Sequence, residues 1–251
     1  MVRVIVFSDF DGTISLQDTG TILIDHCMGK ENRRKLDFCV IDGSLKGAEV
    51  LKIMWENVNL TYAEAMDMLK DIKMDEDFST FVQFCQRHSV PVTVLSAGLD
   101  TLVKQFLKKE LGSNIDAISV IANGLKLTDR RWEIVFHDDS QYGHDKGKSI
   151  RKAKATYGRH EPVTNFISPA TVLKPESDLT TLPLPLVIFV GDGVSDISAA
   201  READILFAKR GLDLEDWCLK EGVTYTAFDR FSEVLDVVRA VVHNVENNLK
   251  L

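Results

Sequence analysis

Three apolar, β-branched runs, Val2 to Phe7, Val90 to Leu95 and Leu186 to Val190, each break at once into small and polar residues. Their apolarity is continuous rather than alternating, which suits strands covered on both faces, as in a parallel sheet. Helix-like stretches follow the second and third runs, at Thr101 to Leu111 and Ile197 to Ala203. Strand, loop and helix in that order predict an α/β protein built on a Rossmann-like, doubly wound parallel sheet. In such a sheet ligands bind at the carboxyl ends of the strands. The polar clusters after all three runs fall at those ends, so residues far apart in the chain can converge there.

Between the first and second runs the apolar spacing is helical. Leu45, Ala48, Leu51, Ile53, Met54 and Val58 fit one amphipathic helix, and Thr61-Tyr62-Ala63-Glu64 reads as a capping box opening another, Thr61 to Leu69. A chain of 251 residues has room for a large core and a smaller insert. The expected division is a core of residues 1–16 and 76–251 and a helical cap of residues 17–75, poised above the first polar cluster as a lid. The other reading of this segment is a helical excursion packed at the sheet edge. Ala117 to Asn123 and Trp132 to His137, around Gly124 and Asp129-Arg130-Arg131, read as a small β-hairpin. Thr171 to Pro185, with Pro175, Pro183 and Pro185, reads as a surface loop, and Phe231 to Val242 as an amphipathic helix.

The first cluster is Asp9-Phe10-Asp11-Gly12-Thr13. Residues i and i+2 of a strand share a side, so at its end both carboxylates can reach one ligand. Their repulsion asks for a cation, which would hold Asp9 ionised while Asp11, protonated part of the time, moves a proton. A solvated Asp-x-Asp-Gly turn is the alternative for the pair alone. Gly191-Asp192-Gly193-Val194-Ser195-Asp196 brings two more carboxylates to another strand end, a hard oxygen set that suits Mg2+ better than zinc. By itself it reads equally as an Asp-decorated helix start. Ser96-Ala97-Gly98 offers a hydroxyl and backbone amides to phosphate oxygens, or is a plain helix cap. Lys146 can bring a positive charge to that phosphate, with Lys148 as a competitor. The stretch Gly143 to Lys148 is no P-loop, because three residues rather than four separate Gly143 from Gly147.

A net charge of -8 and pI near 5.3 argue against nucleic acid or an anionic membrane as partner. Cys27, Cys39, Cys85 and Cys218 have no metal or redox spacing, and the first apolar run is too short for a signal peptide, so a reduced, cytoplasmic setting is expected. The six histidines form no ligand-spaced pair, and His144 is the one beside Lys146.

Together Asp9-Phe10-Asp11-Gly12-Thr13, Ser96, Lys146 and Asp192 with Asp196 resemble the four ordered motifs of the haloacid dehalogenase superfamily of phosphatases. The helical insert and the hairpin are similar to those of its phosphoserine phosphatase-like branch. The resemblance implies Mg2+-dependent hydrolysis of a phosphate monoester. It makes Asp9 the nucleophile that forms an aspartyl phosphate and Asp11 the acid and base. It implies a metal held by Asp9, the Asp11 carbonyl and Asp192, with Asp196 behind them, and phosphate bound by Thr13, Ser96, Ala97, Gly98 and Lys146. Asp18 falls where phosphoserine phosphatases carry an acidic substrate contact, but Met54 stands where they carry an arginine for the substrate carboxylate. Gly191 to Asp196 and Ala203 to Lys209 are closer in look to methionine-salvage diketo-methylthiopentyl phosphate phosphatases and related fungal phosphatases. The expected substrate is therefore a small phosphorylated metabolite. A phosphotransferase or mutase with the same chemistry, and an aspartate-phosphorylated regulatory module, are the alternatives.

Overall fold

The computed structural model describes residues 4–157 and 184–248. Its strands are β1 (Val4–Ser8), β2 (Val92–Leu99), β3 (Ile118–Thr128), β4 (Arg131–Val135), β5 (Leu186–Gly191), β6 (Ile205–Lys209) and β7 (Thr226–Phe228). They form one sheet in the order β4-β3-β2-β1-β5-β6-β7, parallel except for β4. The helices are α1 (Thr19–Met28), α2 (Lys30–Ile41), α3 (Gly47–Glu56), α4 (Tyr62–Met68), α5 (Phe78–Arg87), α6 (Asp100–Leu111), α7 (Lys146–Tyr157), α8 (Ile197–Ala200), α9 (Asp213–Glu221) and α10 (Phe231–Asn248). The expected loop from Thr171 lies outside the described residues except for Leu184 and Pro185.

The unbroken apolarity of β1 and β5 has the expected cause. Val4 and Val6 with Ile188 and Val190 enter one core cluster, while Ile5 and Phe7 with Val187 and Phe189 enter a second on the opposite face. Successive strand residues point to opposite faces, so a strand buried on both must be apolar throughout. The chain leaves β1 toward β2 on one side and returns as β5 on the other. The carboxyl ends of these three adjacent strands are the switch point where a doubly wound sheet opens a crevice.

Four helices, α1 to α4, fill the segment between β1 and α5, and no strand falls there. Thr61 does cap α4, its hydroxyl accepting from Glu64 N while the Glu64 carboxylate accepts from Thr61 N. The helix expected from Leu45 to Val58 is shorter, Gly47–Glu56, and its buried face is Val50, Met54 and Trp55. The segment enters and leaves through paired chains: Leu16 N donates to Lys73 O and Asp75 N to Ile14 O, both at 2.8 Å. Its far side is fastened to the hairpin. Trp55 stacks on Trp132 with ring centres 5.8 Å apart, Trp132 Nε1 donates to Leu60 O at 2.7 Å, and Arg130 pairs with Glu64.

The expected hairpin forms as β3–β4, and β3 also pairs with β2, which makes the hairpin the edge of the main sheet. The helix expected to run from Ile197 to Ala203 is one turn, Ile197–Ala200, preceded by a 3-10 turn at Val194–Asp196. The Asp196 carboxylate accepts from Asp192 N and Gly193 N and so fixes the turn ahead of it.

Candidate active site

The chain turns sharply after Asp9, and Gly12 sits at φ +86 with its α-carbon against the Asp192 carboxylate. A side chain at Gly12 would be strained by that φ and would collide with Asp192, so glycine alone lets the two acidic loops touch. Asp9 is 4% exposed and Lys146, the first residue of α7, is fully buried. Lys146 Nζ donates to Asp9 Oδ1 at 2.5 Å and to Asp196 Oδ1 at 2.6 Å. Lys148 is exposed and lies 3.5 Å from Asp139, so of the two lysines Lys146 is the one buried against the acidic cluster.

Thr13, expected at the phosphate, is buried and donates its hydroxyl to Asp192 Oδ1 at 2.7 Å instead. Asp11 is held from the insert: Thr19 N and Thr19 Oγ1, at the start of α1, donate to Asp11 Oδ1 at 2.8 and 2.7 Å. Its other oxygen lies against Gly98, where an added Cβ would come within 2.9 Å of Asp11 Oδ2. Asp18 is exposed and caps α1 by accepting from Thr21 N at 2.6 Å. Met54 is buried in the apolar core.

Ser96, Ala97 and Gly98 are not a loop after β2 but a bulge within it. Leu95 pairs with Ile121 and Leu99 with Asn123, leaving residues 96–98 opposite the single Ala122. Ser96 Oγ accepts from Gly98 N at 2.9 Å. Sequence reasoning passed over Thr19, Asn123 and Lys209. Asn123 Nδ2 donates to Ala97 O, and Lys209 Nζ donates to Thr13 O at 3.3 Å. Lys209 closes β6 and Asn123 follows the apolar part of β3, so the strand-end rule that found the aspartates also points to them.

Four carboxylates, Asp9, Asp11, Asp192 and Asp196, surround one buried ammonium. Burial pushes the Asp9 carboxyl well up, Lys146 opposing the rise while Asp196 and Asp192 add to it. Burial and the Asp18 charge lift Asp11 to about 7 despite both Thr19 hydrogen bonds. Burial and Asp196 lift Asp192 to about 6. Burial works against the charge of Lys146, but Asp196 and Asp9 outweigh it and hold its pKa above that of a free lysine. Asp9, buried, and Asp192, half-buried, are carboxyls in contact, and such a pair needs a proton or a cation between them. Asp9, Asp192 and Asp196 offer oxygens within 4.8 Å of one another. Asp196 already serves Lys146 and two backbone amides, which leaves Asp9 and Asp192 as the carboxylates free to bind. An all-oxygen set fits Mg2+.

The pH consequence has a definite sign. Unfolded aspartates lose their protons near about pH 4. Folded Asp11 and Asp192 keep theirs to about 7 and about 6. The folded chain therefore binds more protons between these limits, and stability without metal falls as pH rises. The metal-free protein should melt several degrees higher near pH 5 than near pH 8, and Mg2+ should raise the second value far more than the first. Equal Mg2+ effects at both would contradict this.

The family of haloacid dehalogenase-like hydrolases matches residues 6–201. The chain belongs to that family. Pdp3-interacting factor 1 of Schizosaccharomyces pombe is 35% identical to it over 233 residues, 91% of this chain and 92% of the other. Polyol phosphate phosphatase PYP1 of Saccharomyces cerevisiae is 33% identical over 246 residues, covering 96% and 95%. A 2-hydroxy-3-keto-5-methylthiopentenyl-1-phosphate phosphatase of Microcystis aeruginosa is 23% identical over 230 residues, covering 92% and 95%. A phosphoserine phosphatase solved as a phospho-aspartyl intermediate analogue shares the fold, with a TM-score of 0.64 at 19% identity over 94% of this chain and 99% of that one. This haloacid dehalogenase-like chain is a phosphatase, a phosphoric monoester hydrolase. No helix among its described residues is long and apolar enough to cross a membrane.

Proposed function

We propose that the protein hydrolyses the phosphate monoester of a small, uncharged, hydroxylated alcohol through a phosphoaspartate at Asp9, with Mg2+ as cofactor. The observation that carries the reading is the convergence of Asp9, Asp11, Ser96, Lys146 and Asp192 at the ends of β1, β2 and β5. A carboxylate oxygen of Asp9 attacks phosphorus, the bond to the leaving oxygen breaks, and Asp11 gives that oxygen its proton. Asp11, now a carboxylate, takes a proton from water as the water attacks the phosphoaspartate, which frees phosphate and restores Asp9. Ser96 and Lys146 hold the transferring group, where charge stabilisation and in-line placement are most of the task. Asp9 and Asp192 would hold Mg2+, which would keep both ionised and offset the charge of the phosphate.

Substrate class follows from the leaving-group side. Asp18 is close enough for its charge to raise the pKa of Asp11, and hydroxyls on the leaving group would find an acceptor there. Met54 lies in the apolar core, and no arginine stands in for it at that position. Two relatives are named for a polyol phosphate and a hydroxylated ketopentenyl phosphate, which agrees with this chemistry. We read residues 17–75 as the cap that walls off this side and residues 1–16 with 76–251 as the core. The Trp55–Trp132 stack argues for a small tilt of the cap rather than a wide swing. Four free thiols agree with a cytoplasmic setting.

A phosphate-release screen with Mg2+ should favour glycerol phosphate and longer polyol monophosphates over phosphoserine by at least about tenfold, the scale of one carboxylate left without its arginine at position 54. Equal or better turnover of phosphoserine would contradict the substrate class. Phosphate appearing on an added alcohol instead of in solution would favour a phosphotransferase.

A further inference from the structure

Residues 96–98 form a bulge, and a bulge leaves backbone groups outside the ladder that must find other partners. Two side chains take these carbonyls. His144 Nδ1 lies 2.8 Å from Ser96 O, and Asn123 Nδ2 donates to Ala97 O at 2.7 Å. Neither can turn easily. His144 is 3% exposed and Asn123 is fully buried. Asn123 Oδ1 accepts from His137 N at 2.9 Å, which fixes which end of the amide faces the bulge. A carbonyl only accepts, so His144 Nδ1 carries the proton, and Nε2 accepts from Ser149 Oγ at 3.1 Å. Burial lowers the His144 pKa to about 4, so the ring stays neutral and keeps this tautomer at physiological pH.

A trans peptide is planar, and its N–H points opposite to its carbonyl. Drawing Ala97 C=O onto Asn123 therefore turns Gly98 N–H the other way, and it is found on Ser96 Oγ at 2.9 Å. Drawing Ser96 C=O onto His144 likewise turns Ala97 N–H away from the His144 side. We propose that His144 and Asn123 are positioning residues for phosphate binding, each setting one peptide plane so that Ser96 Oγ and Ala97 N–H together meet the phosphoryl oxygens. This rests on the phosphatase reading of the Ser96 bulge. It adds two residues that touch neither substrate nor metal, and it gives the His137 and His144 segments a role beyond carrying Lys146.

The test uses the full-length protein, Mg2+ and inorganic phosphate as probe, with three readouts: phosphate affinity by calorimetry, the Ala97 amide signal by NMR, and melting temperature. In His144→Asn the amide N–H lies near the position of Nδ1, whereas in His144→Gln it lies near Nε2 and misses Ser96. Affinity should fall about tenfold in His144→Gln and in Asn123→Ala, the scale of one displaced hydrogen-bonding group, and stay within about threefold in His144→Asn. Ser149→Ala should lower the melting temperature and leave affinity unchanged. The wild-type Ala97 amide should shift on phosphate binding. Variants that melt earlier with unchanged affinity, or His144→Asn no better than His144→Gln, would overturn the proposal. So would a silent Ala97 amide in wild-type protein, whatever the variants do. Phosphate release by the wild type that vanishes in Asp9→Asn tests the phosphatase reading separately, and that result can stand while the Ala97 amide is silent.

Discussion

Lys146→Met should lose nearly all turnover and about 3–5 kcal/mol of folding stability, the usual cost of removing one partner from a buried ion pair. The ammonium is fully buried, and the side chains of its two carboxylate partners, Asp9 and Asp196, are 6% and 0% exposed. Methionine matches the stem but leaves Asp9 and Asp196 facing each other with no positive charge between them. They must take up protons or admit water, and either spoils the nucleophile. Lys148→Met, two residues on, removes an exposed charge 3.5 Å from an exposed partner and should change stability by less than about 0.5 kcal/mol. Urea denaturation of the two variants without metal, with phosphate release alongside, checks both values. Similar stabilities would contradict the assignment of the buried pair.

Asp9→Asn should behave in the opposite way for stability and worse for catalysis. Turnover should fall by at least about 10⁴-fold, as expected when a nucleophile is replaced by an amide of the same shape. Stability without metal should hold or rise by about 1–2 kcal/mol, because one of four crowded carboxylates becomes neutral while Lys146 keeps Asp196. A site that is easier to fold when its nucleophile is disabled is what a preorganised, charge-strained centre predicts. Loss of activity together with a large loss of stability would instead mark Asp9 as structural.

Much of this was readable in the chain because a two-sided sheet forces continuous apolar strands, and such strands announce their own ends. Asp9, Ser96 and Asp192 are the first polar residues past those ends or close to them, and the switch point makes the strands neighbours. What the chain hid depends on pairing across distance. The bulge at Ser96 exists only as a mismatch with β3, so a loop after the strand was the natural reading. Thr13 enters the site through the family resemblance, and its bond to Asp192 shows only once β5 brings that residue to it. Thr19 sits ten residues beyond Asp9, in the insert, and its grip on Asp11 shows only once α1 is placed. Lys146 and Lys148, two residues apart in α7, fall on its buried and exposed sides, a choice periodicity alone did not decide.

Acid quench during turnover of a phosphorus-labelled substrate, followed by borohydride reduction and peptide mass spectrometry, tests the nucleophile most directly. Label should appear on the wild-type protein only with Mg2+, be absent from Asp9→Asn, and leave homoserine at position 9 after reduction. Full phosphate release with no covalent label, or a reduced residue anywhere other than position 9, would contradict the mechanism.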